Sequence, residues 1–232
     1  LGATSCAIDE IFDCVDGVVI ATPTSTHAGL LVRAAEAGVP AFCEKPVALD
    51  IATTREVLAA VEASGTPVQI GFQRRFDAGY AAARAAVQAG ELGQVRRAHM
   101  LTCDPTPPPE QFVPSSGGIF KDCGIHDVDA LRWVTGAEVV EVFAYGVPRG
   151  EDYFATHGDS SEATAVLKLD DGTLATLHLS RYNGQGYDVR MEVAGTAGTI
   201  AVGLDDHSAL RSVEPGVAFP AGESFSWFYP RF

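Results

Sequence analysis

The sequence is poor in basic residues. Of its 232 residues, 16 are lysine or arginine and 30 are aspartate or glutamate, so the formal net charge is −14 at neutral pH. Proteins that bind nucleic acids or anionic membranes need basic patches on their surface. The deficit therefore argues against both classes of partner.

Long apolar runs are also missing. No stretch approaches the roughly 20 apolar residues of a membrane-spanning helix, and no basic segment followed by an apolar one marks a signal peptide at the N-terminus. Hydrophobic residues nevertheless make up 47% of the chain, which excludes global disorder and predicts a sizeable core. At roughly 150 residues per domain, the length fits one large or two small domains.

Paired cysteines are a third absence. The five cysteines are scattered, and no C-x-x-C pair occurs among them. An odd, scattered set argues against a disulfide framework and against a structural zinc site. We therefore expect reduced thiols in a cytoplasmic protein, with no metal site.

The pattern of apolar and polar residues changes near residue 72. Before that point, short β-branched or apolar runs alternate with helical periods, which predicts a doubly wound parallel α/β layer. Asp50 is suited to cap one helix, and Ser25 or Thr26 the other. The predicted strands cover residues 17–21, 39–43 and 68–71, and the predicted helices cover residues 25–37 and 50–63.

The second part of the chain reads as an α+β domain. Several segments alternate in period two, and Asp171-Gly172 between two of them is a strong hairpin signal. The pattern predicts a large, mostly antiparallel sheet that is open on one face and packed by helices on the other. The predicted strands cover residues 95–102, 163–169, 173–179, 187–193 and 199–202, and the helices cover residues 77–89 and 118–134.

Polar side chains follow each of the three predicted parallel strands. Ligands bind at the carboxyl ends of such strands, so we expect these residues to line one edge of the sheet. Turn formation, helix capping and a solvated ion pair explain several of them equally well, and of the two arginines we expect one to be structural and one functional. The residues are Thr22, Pro23 and His27 after the first strand, Glu44 and Lys45 after the second, and Gln73, Arg74 and Arg75 after the third.

The most informative helix is the one that carries Asp122, His126 and Asp129. Spacings of four and seven residues place all three on one α-helical face, with about 6 Å of rise between the first two. Burying such a face is costly unless it lines a polar cleft. A solvated helix face is the plainer interpretation, and a metal site is disfavoured because the second histidine of H-E-x-x-H is absent.

Combined with a strand-end lysine, the same helix provides a candidate acid/base set. His126 is suited to accept a hydroxyl proton near neutral pH. The Lys45 ammonium would stabilise the alkoxide that forms before a hydride leaves. Asp122 would orient the histidine or the lysine.

Six motifs occur in order over essentially the whole chain: Ala21-Thr22-Pro23 with His27, Glu44-Lys45-Pro46, the segment 71–76, the helix 118–129, Ser180-Arg181-Tyr182, and the segment 195–200. Together they resemble the Gfo/Idh/MocA family (glucose–fructose oxidoreductase and inositol 2-dehydrogenase) of NAD(P)-dependent oxidoreductases. The resemblance implies a partial Rossmann-like nucleotide-binding domain over residues 1–71 and a substrate and oligomerisation α+β domain over residues 72–232.

The resemblance also implies roles for individual residues. Lys45, Asp122 and His126 would be catalytic, and the substrate would be a hydroxyl of a sugar or cyclic polyol, as in inositol dehydrogenases. The open sheet would form a homo-oligomer, either a dimer or a tetramer. Residues implied to bind the nicotinamide half of NAD or NADP are Thr22, Pro23, His27, Glu44, Lys45 and Gln73. Residues implied to bind the substrate are Lys45, Arg75, Asp122, His126 and Tyr187.

The sequence departs from the family pattern at both ends. The family opens with a strand and G-x-G-x-x-G, which holds the pyrophosphate, and no such motif occurs here. We expect that motif, and the residue that selects NAD or NADP, to lie upstream of Leu1, and further helix to lie beyond Phe232. The alternative is a non-catalytic sugar-binding or assembly module, or an inactive fragment, without a dinucleotide site.

Overall fold

The fold is seen in a computed structural model that describes residue 2, residues 4–228, and residues 230 and 232. The chain divides into two compact units, Leu1–Phe72 and Gln73–Phe232. The sequence pattern changes at nearly the same point, after residue 71.

The first unit contains a parallel sheet in the order β1-β2-β3, which confirms the predicted α/β layer. Its core is built from apolar side chains of the strands and of α1 and α2. Asp50 caps α2 as predicted, because its Oδ1 accepts a hydrogen bond of 2.8 Å from the Thr53 amide. The elements among the described residues are β1 (Val18–Ile20), α1 (His27–Ala37), β2 (Ala41–Glu44), α2 (Ile51–Ser64) and β3 (Val68–Gly71).

The start of α1 differs from the prediction. The chain first forms a 3₁₀ turn, Thr24–Thr26, and α1 begins at His27. No side-chain hydrogen bond caps this helix. The reason is that the Thr26 hydroxyl donates to the Pro23 carbonyl oxygen instead, at 2.8 Å.

The second unit is built on a sheet in the order β5-β6-β7-β4-β8-β9. All of its strand pairs are antiparallel except β4 with β7, which is parallel, so the mostly antiparallel sheet is confirmed as a mixed one. Its described strands are β4 (Val95–Cys103), β5 (Val139–Val147), β6 (Glu162–Leu169), β7 (Leu174–Ser180), β8 (Asp188–Gly195) and β9 (Thr199–Val202). Its described α-helices are α3 (Ala78–Gln88), α4 (Val113–Ser116), α5 (Ile125–Thr135) and α6 (Tyr153–Thr156).

The two faces of this sheet differ sharply. One face packs against α3 and α5, and every second residue of β6, β7 and β8 is buried there. The opposite face, called the open face below, is exposed along β5, β6 and β7. Its exposed apolar side chains are Phe143, Tyr145, Val147, Val166 and Leu174. Strand β5 was not predicted from the sequence. It is an edge strand with apolar residues on both of its faces, so it shows no period-two alternation of apolar and polar residues.

The predicted single α-helix over residues 118–134 is wrong in its first half. Residues Phe120–Gly124 form a π-helical turn, and the α-helix proper, α5, starts at Ile125. Gly124 brings this turn against β7, since a Cβ there would lie 3.0 Å from Leu179 Cδ1. Wide π turns are uncommon and often occur at functional sites. Asp122 therefore lies in the π turn, whereas His126 lies in the first turn of α5.

Three features bear on compartment and metal binding. All five cysteines lie in the described part of the chain and are free thiols, as predicted; the cytoplasmic location stays a prediction. None of the described helices is long and apolar enough to cross a membrane. No group of three or more potential metal ligands was found among the described residues.

Candidate active site

The loop after β1 carries Thr22 and Pro23. The Thr22 and Thr26 hydroxyl oxygens are 2.6 Å apart, and the Thr26 hydroxyl uses its own proton on the Pro23 carbonyl oxygen. Thr22 must therefore be the donor to Thr26. The lone pairs of the exposed Thr22 hydroxyl are left as acceptors for a ligand.

His27 holds this loop to the loop after β2. The side chain is 1% exposed. Its Nδ1 lies 2.8 Å from the Pro46 carbonyl oxygen and its Nε2 lies 2.8 Å from the Thr22 carbonyl oxygen. Carbonyl oxygens only accept and a neutral imidazole carries one ring proton, so a neutral His27 donates to one of the two oxygens, depending on its tautomer. This burial favours a positioning role for His27 over direct contact with a cofactor.

The end of β2 places Glu44 and Lys45 beside the end of β3. Glu44 pairs with Gly71 in the parallel register, and a Cβ at Gly71 would lie 3.1 Å from Glu44 Oε1 and 2.8 Å from Phe42 Cζ. Glycine at this position therefore leaves room for the Glu44 carboxylate. Lys45 is half-buried and is joined to Pro46 by a cis peptide bond. Within the first unit, the predicted residues do lie at the carboxyl edge of the sheet.

In the second unit, Arg74 is the structural member of the arginine pair. It is 2% exposed, and its Nη1 donates to Asp127 Oδ1 at 2.6 Å while its Nη2 donates to the Thr102 hydroxyl at 2.7 Å. The Thr102 hydroxyl in turn donates to Asp127 Oδ2 at 2.8 Å. The three side chains thus form a closed, buried triangle. Gln73 lies in the same 3₁₀ turn and is half-buried.

Arg75 has a carboxylate partner of its own. Its Nε and Nη2 donate to the two oxygens of Asp129, at 2.9 and 2.6 Å. Hydrogen bonding to Asp129 raises the pKa of Arg75. Asp129, which the sequence grouped with Asp122 and His126, is therefore neutralised by Arg75. Contact between Arg75 and substrate stays a prediction.

Asp122 is held by Arg181, which follows β7. The side chain of Arg181 is 3% exposed, and its Nη2 donates to Asp122 Oδ2 at 2.8 Å. Its Nη1 donates to Asp104 Oδ2 and to Cys123 Sγ, both at 2.9 Å. Burial raises the pKa of Asp104 although Arg181 opposes the shift. Asp122 is 18% exposed and His126 is half-buried.

Tyr187 precedes β8 and belongs largely to the core. Its side chain is 9% exposed, and its ring centroid lies 6.4 Å from that of Phe228. Burial raises the pKa of its phenol above the ordinary value. A substrate contact for Tyr187 stays a prediction.

Asp159 anchors the segment that leads into the π turn. Its Oδ1 accepts hydrogen bonds from the Ile119 amide, at 2.9 Å, and from the Ser160 amide, at 2.7 Å. Gly118 has φ +88°, and a Cβ at this position would lie 3.0 Å from Asp159 Oδ1. The glycine therefore allows the carboxylate to cap the turn.

Sequence reasoning gave no role to several residues that hold this site. These are Thr102, Asp104, Asp127, Asp159 and Arg181. The available signals were Asp127 beside His126, where an acid off the predicted polar face of the helix needs a partner, and Arg181 directly after a buried strand. Neither signal identifies the partner.

Two family models match the chain. One, described as the GFO/IDH/MocA C-terminal domain, matches residues 80–201. The other, described as an oxidoreductase family with an NAD-binding Rossmann fold, matches residues 3–72.

Among curated proteins, scyllo-inositol 2-dehydrogenase (NAD(+)) of Bacillus subtilis is 38% identical over 193 residues, which are 83% of this chain and 56% of that protein. Inositol 2-dehydrogenase of Rhizobium meliloti is 39% identical over 195 residues, 84% of this chain and 59% of that protein. The chain thus spans less than two thirds of the length of these relatives.

Solved structures give the same picture. A myo-inositol dehydrogenase from Corynebacterium glutamicum superposes with a TM-score of 0.86 at 35% identity, covering 98% of this chain and 68% of that one. Scyllo-inositol dehydrogenase from Lactobacillus casei, solved with bound NAD(H) and scyllo-inositol, superposes with a TM-score of 0.84 at 29% identity, covering 97% and 68%.

Proposed function

We propose, from the premise that the chain belongs to the GFO/IDH/MocA oxidoreductase family, that it forms the catalytic part of an NAD-dependent polyol dehydrogenase. The reaction would move a hydride between nicotinamide and a ring hydroxyl of an inositol or a related sugar. The names of the curated relatives support this interpretation over the non-catalytic alternative.

One observation carries the proposal. Segment 122–129 holds three carboxylates and one histidine, and each carboxylate is paired with an arginine, but only Asp127 and Asp129 are buried. Asp122 and His126 are the members that keep partial exposure. Such a division leaves one acid and one base available to a ligand, as acid/base catalysis requires.

The residues present fit the nicotinamide end of a dinucleotide. The exposed Thr22 hydroxyl offers acceptors for ribose hydroxyls or a carboxamide amine, and Glu44 offers a second acceptor at the same sheet edge. When bound, the nicotinamide would accept or return the hydride. The choice between NAD and NADP is part of this proposal, and the relative named for NAD(+) favours NAD.

The protein groups would then act on the hydroxyl. His126 would take the hydroxyl proton, because a histidine titrates near neutral pH. The Lys45 ammonium would stabilise the negative charge that develops on the oxygen. Asp122 would orient the imidazole and stabilise its protonated form.

The test is turnover by the protein that contains this chain, with myo-inositol and scyllo-inositol as substrates and the absorbance of the reduced cofactor as readout. We expect activity with NAD. Lys45→Met and His126→Gln should each reduce kcat by about 100-fold or more, because each removes a group that acts on the transferring proton or the developing charge.

Lys168→Met is the matched control, because Lys168 is an exposed lysine on β6, 3.8 Å from Glu141. It should leave turnover unchanged. Polyol binding that does not depend on nicotinamide, without turnover, would support the non-catalytic module instead. Unchanged turnover in both site variants would refute the assignment of the site.

We also propose that the open face joins copies of this chain into a dimer or a tetramer. Phe143 is 64% exposed and Tyr145 is 69% exposed on an edge strand, and Val166 lies beside them on β6. An apolar patch of this kind on a sheet edge marks an interaction surface. Sedimentation of the Phe143→Ser, Tyr145→Ser double variant should show a smaller species than the parent; an unchanged species would exclude this face.

A further inference from the structure

Arg181 differs from Arg74, the other buried arginine among the described residues of the second unit, in the carboxylates that it holds. Arg74 binds a single carboxylate, Asp127, and both side chains are at most 2% exposed. Arg181 binds two carboxylates, and both of these reach the surface, with Asp104 14% and Asp122 18% exposed. The Arg181 cluster therefore connects a buried cation to solvent-accessible acids.

The cluster holds more carboxylates than guanidinium groups. One guanidinium faces the Asp104 and Asp122 carboxylates, with the Cys123 thiol beside them. The planar fork of arginine reaches two acceptors at fixed angles, which the point charge of a lysine does not do. Removing the cation would leave two neighbouring carboxylates in a poorly solvated place, where each disfavours ionisation of the other.

Arg181 is itself fixed at its backbone. Its amide donates to the Ser161 carbonyl oxygen at 2.8 Å, which ties the residue to the segment before β6. The backbone of Arg181 is thus fixed, and its guanidinium group sets the position of Asp122. Asp122 lies in the π turn, a rare kind of helical turn that often occurs at functional sites.

We propose that Arg181 is a positioning residue for the reaction: its hydrogen bond to Asp122 Oδ2 fixes that carboxylate at the start of α5, where His126 lies. The inference rests on the proposed function. Arg181 acts through Asp122 and not on the substrate. Oδ1 of Asp122 is not used by Arg181 and is the oxygen assigned to the catalytic task.

The first test is a double-mutant cycle in kcat with Arg181→Met and Asp122→Asn. Misplacing a catalytic group by about 1 Å costs on the order of 100-fold in rate, so Arg181→Met should lower kcat by about that factor with little change in KM. If Arg181 acts through Asp122, the double variant should be no more than a few-fold slower than Asp122→Asn alone. Losses that multiply would overturn the proposal.

Chemical rescue gives a second readout. Guanidinium at a concentration too low to unfold the protein should restore part of the kcat of Arg181→Gly, whereas urea, which is planar but neutral, should not. Arg132→Gly is the matched control, because Arg132 makes an exposed bidentate pair with Glu138 outside the cluster; its kcat should equal the parent value with and without guanidinium. Equal effects of guanidinium and urea on Arg181→Gly would overturn the proposal.

Folding and function are kept apart by two further measurements. Fluorescence of Trp133 and Trp227 reports whether the second unit is folded. If Arg181→Met does not fold, Arg181→Lys is the variant to use, because it retains a cation. We expect Arg181→Lys to lower kcat without changing KM; a kcat equal to the parent value would overturn the proposal. An inactive parent, or a His126→Gln variant with full turnover, would instead show that the proposed function is wrong.

Discussion

The two units hold their candidate site residues by different means. In the first unit, strand ends and backbone carbonyl oxygens position these residues: each ring nitrogen of His27 lies 2.8 Å from a carbonyl oxygen, and Glu44 lies where Gly71 leaves room. In the second unit, buried arginine–carboxylate pairs do it, with Arg74 and Arg181 as the cations. The first arrangement depends on local chain geometry, and the second depends on side chains far apart in sequence.

This difference has a consequence for stability. A carbonyl oxygen that loses its partner is neutral, and near a loop it regains a water. A buried carboxylate that loses its arginine keeps a charge that water does not reach. We therefore expect the second unit to be more sensitive to loss of a polar partner than the first.

The largest expected effect is that of Arg74→Met. Removing one partner of a buried ion pair costs about 3–5 kcal/mol, because the other charge stays buried. Unfolding in urea, followed by tryptophan fluorescence, measures this in the second unit, where both Trp133 and Trp227 lie. Arg132→Met, at an exposed pair, is the control and should cost less than about 1 kcal/mol.

A further variant separates charge from packing. Arg74→Met combined with Asp127→Leu removes both partners, and replacing a buried pair by apolar residues is often neutral. The double variant should thus be more stable than Arg74→Met alone. If it is equally or less stable, the packing and hydrogen bonds of the triangle with Thr102 contribute more to stability than its charge pairing does. The difference between the units would then be one of packing.

The second prediction concerns His27→Phe. Phenylalanine cannot donate to the Thr22 or the Pro46 carbonyl oxygen, and each buried group left unsatisfied costs about 1–3 kcal/mol. We expect a total loss of about 2–3 kcal/mol, less than for Arg74→Met, because the loops regain water. The first unit contains no tryptophan or tyrosine, so amide hydrogen exchange in β1 and β2 is the suitable measurement.

An equal or larger loss at His27 than at Arg74 would contradict the comparison. It would mean that the two carbonyl oxygens stay dry, and that the loops after β1 and β2 are as dependent on one side chain as the second unit is. His157→Phe, at a partly exposed histidine 3.3 Å from Glu110, is the control for the change of side chain and should cost less than about 1 kcal/mol.

The same difference between the units explains which site residues could be predicted from the sequence. In the first unit, the residues after each strand are adjacent in sequence to the strand itself, so locating the strand also locates Glu44 and Lys45. In the second unit, Arg74 and Asp127 are 53 positions apart, and Arg181 and Asp122 are 59 apart. Side-chain pairing over such distances leaves no periodic signal.

Two features of the backbone could not be predicted from the sequence for related reasons. The parallel pairing of β4 with β7 joins strands separated by the whole α5 region, and hairpin signals report neighbouring strands only. The π turn depends on the approach of Gly124 to Leu179, which is a tertiary contact. Helical periodicity correctly indicated a helix that carries Asp122 and His126, but it could not predict the change of helix type between them.

The smallest expected effect is the most direct check on the comparison, because it uses one kind of interaction in both units. Asp50 caps α2 by accepting from the Thr53 amide at 2.8 Å, with an additional exposed hydrogen bond from the Thr53 hydroxyl, and Asp77 caps α3 by accepting from the Tyr80 amide at 3.0 Å. Replacing an aspartate N-cap by alanine costs about 1 kcal/mol. Asp50→Ala and Asp77→Ala should therefore lose similar amounts, measured by hydrogen exchange in α2 and in α3. If the two cap variants lose equal stability while His27→Phe and Arg74→Met lose unequal amounts, buried charge accounts for the difference between the units. A much larger loss at Asp77 would instead show that the second unit responds more strongly to any perturbation, whatever the interaction removed.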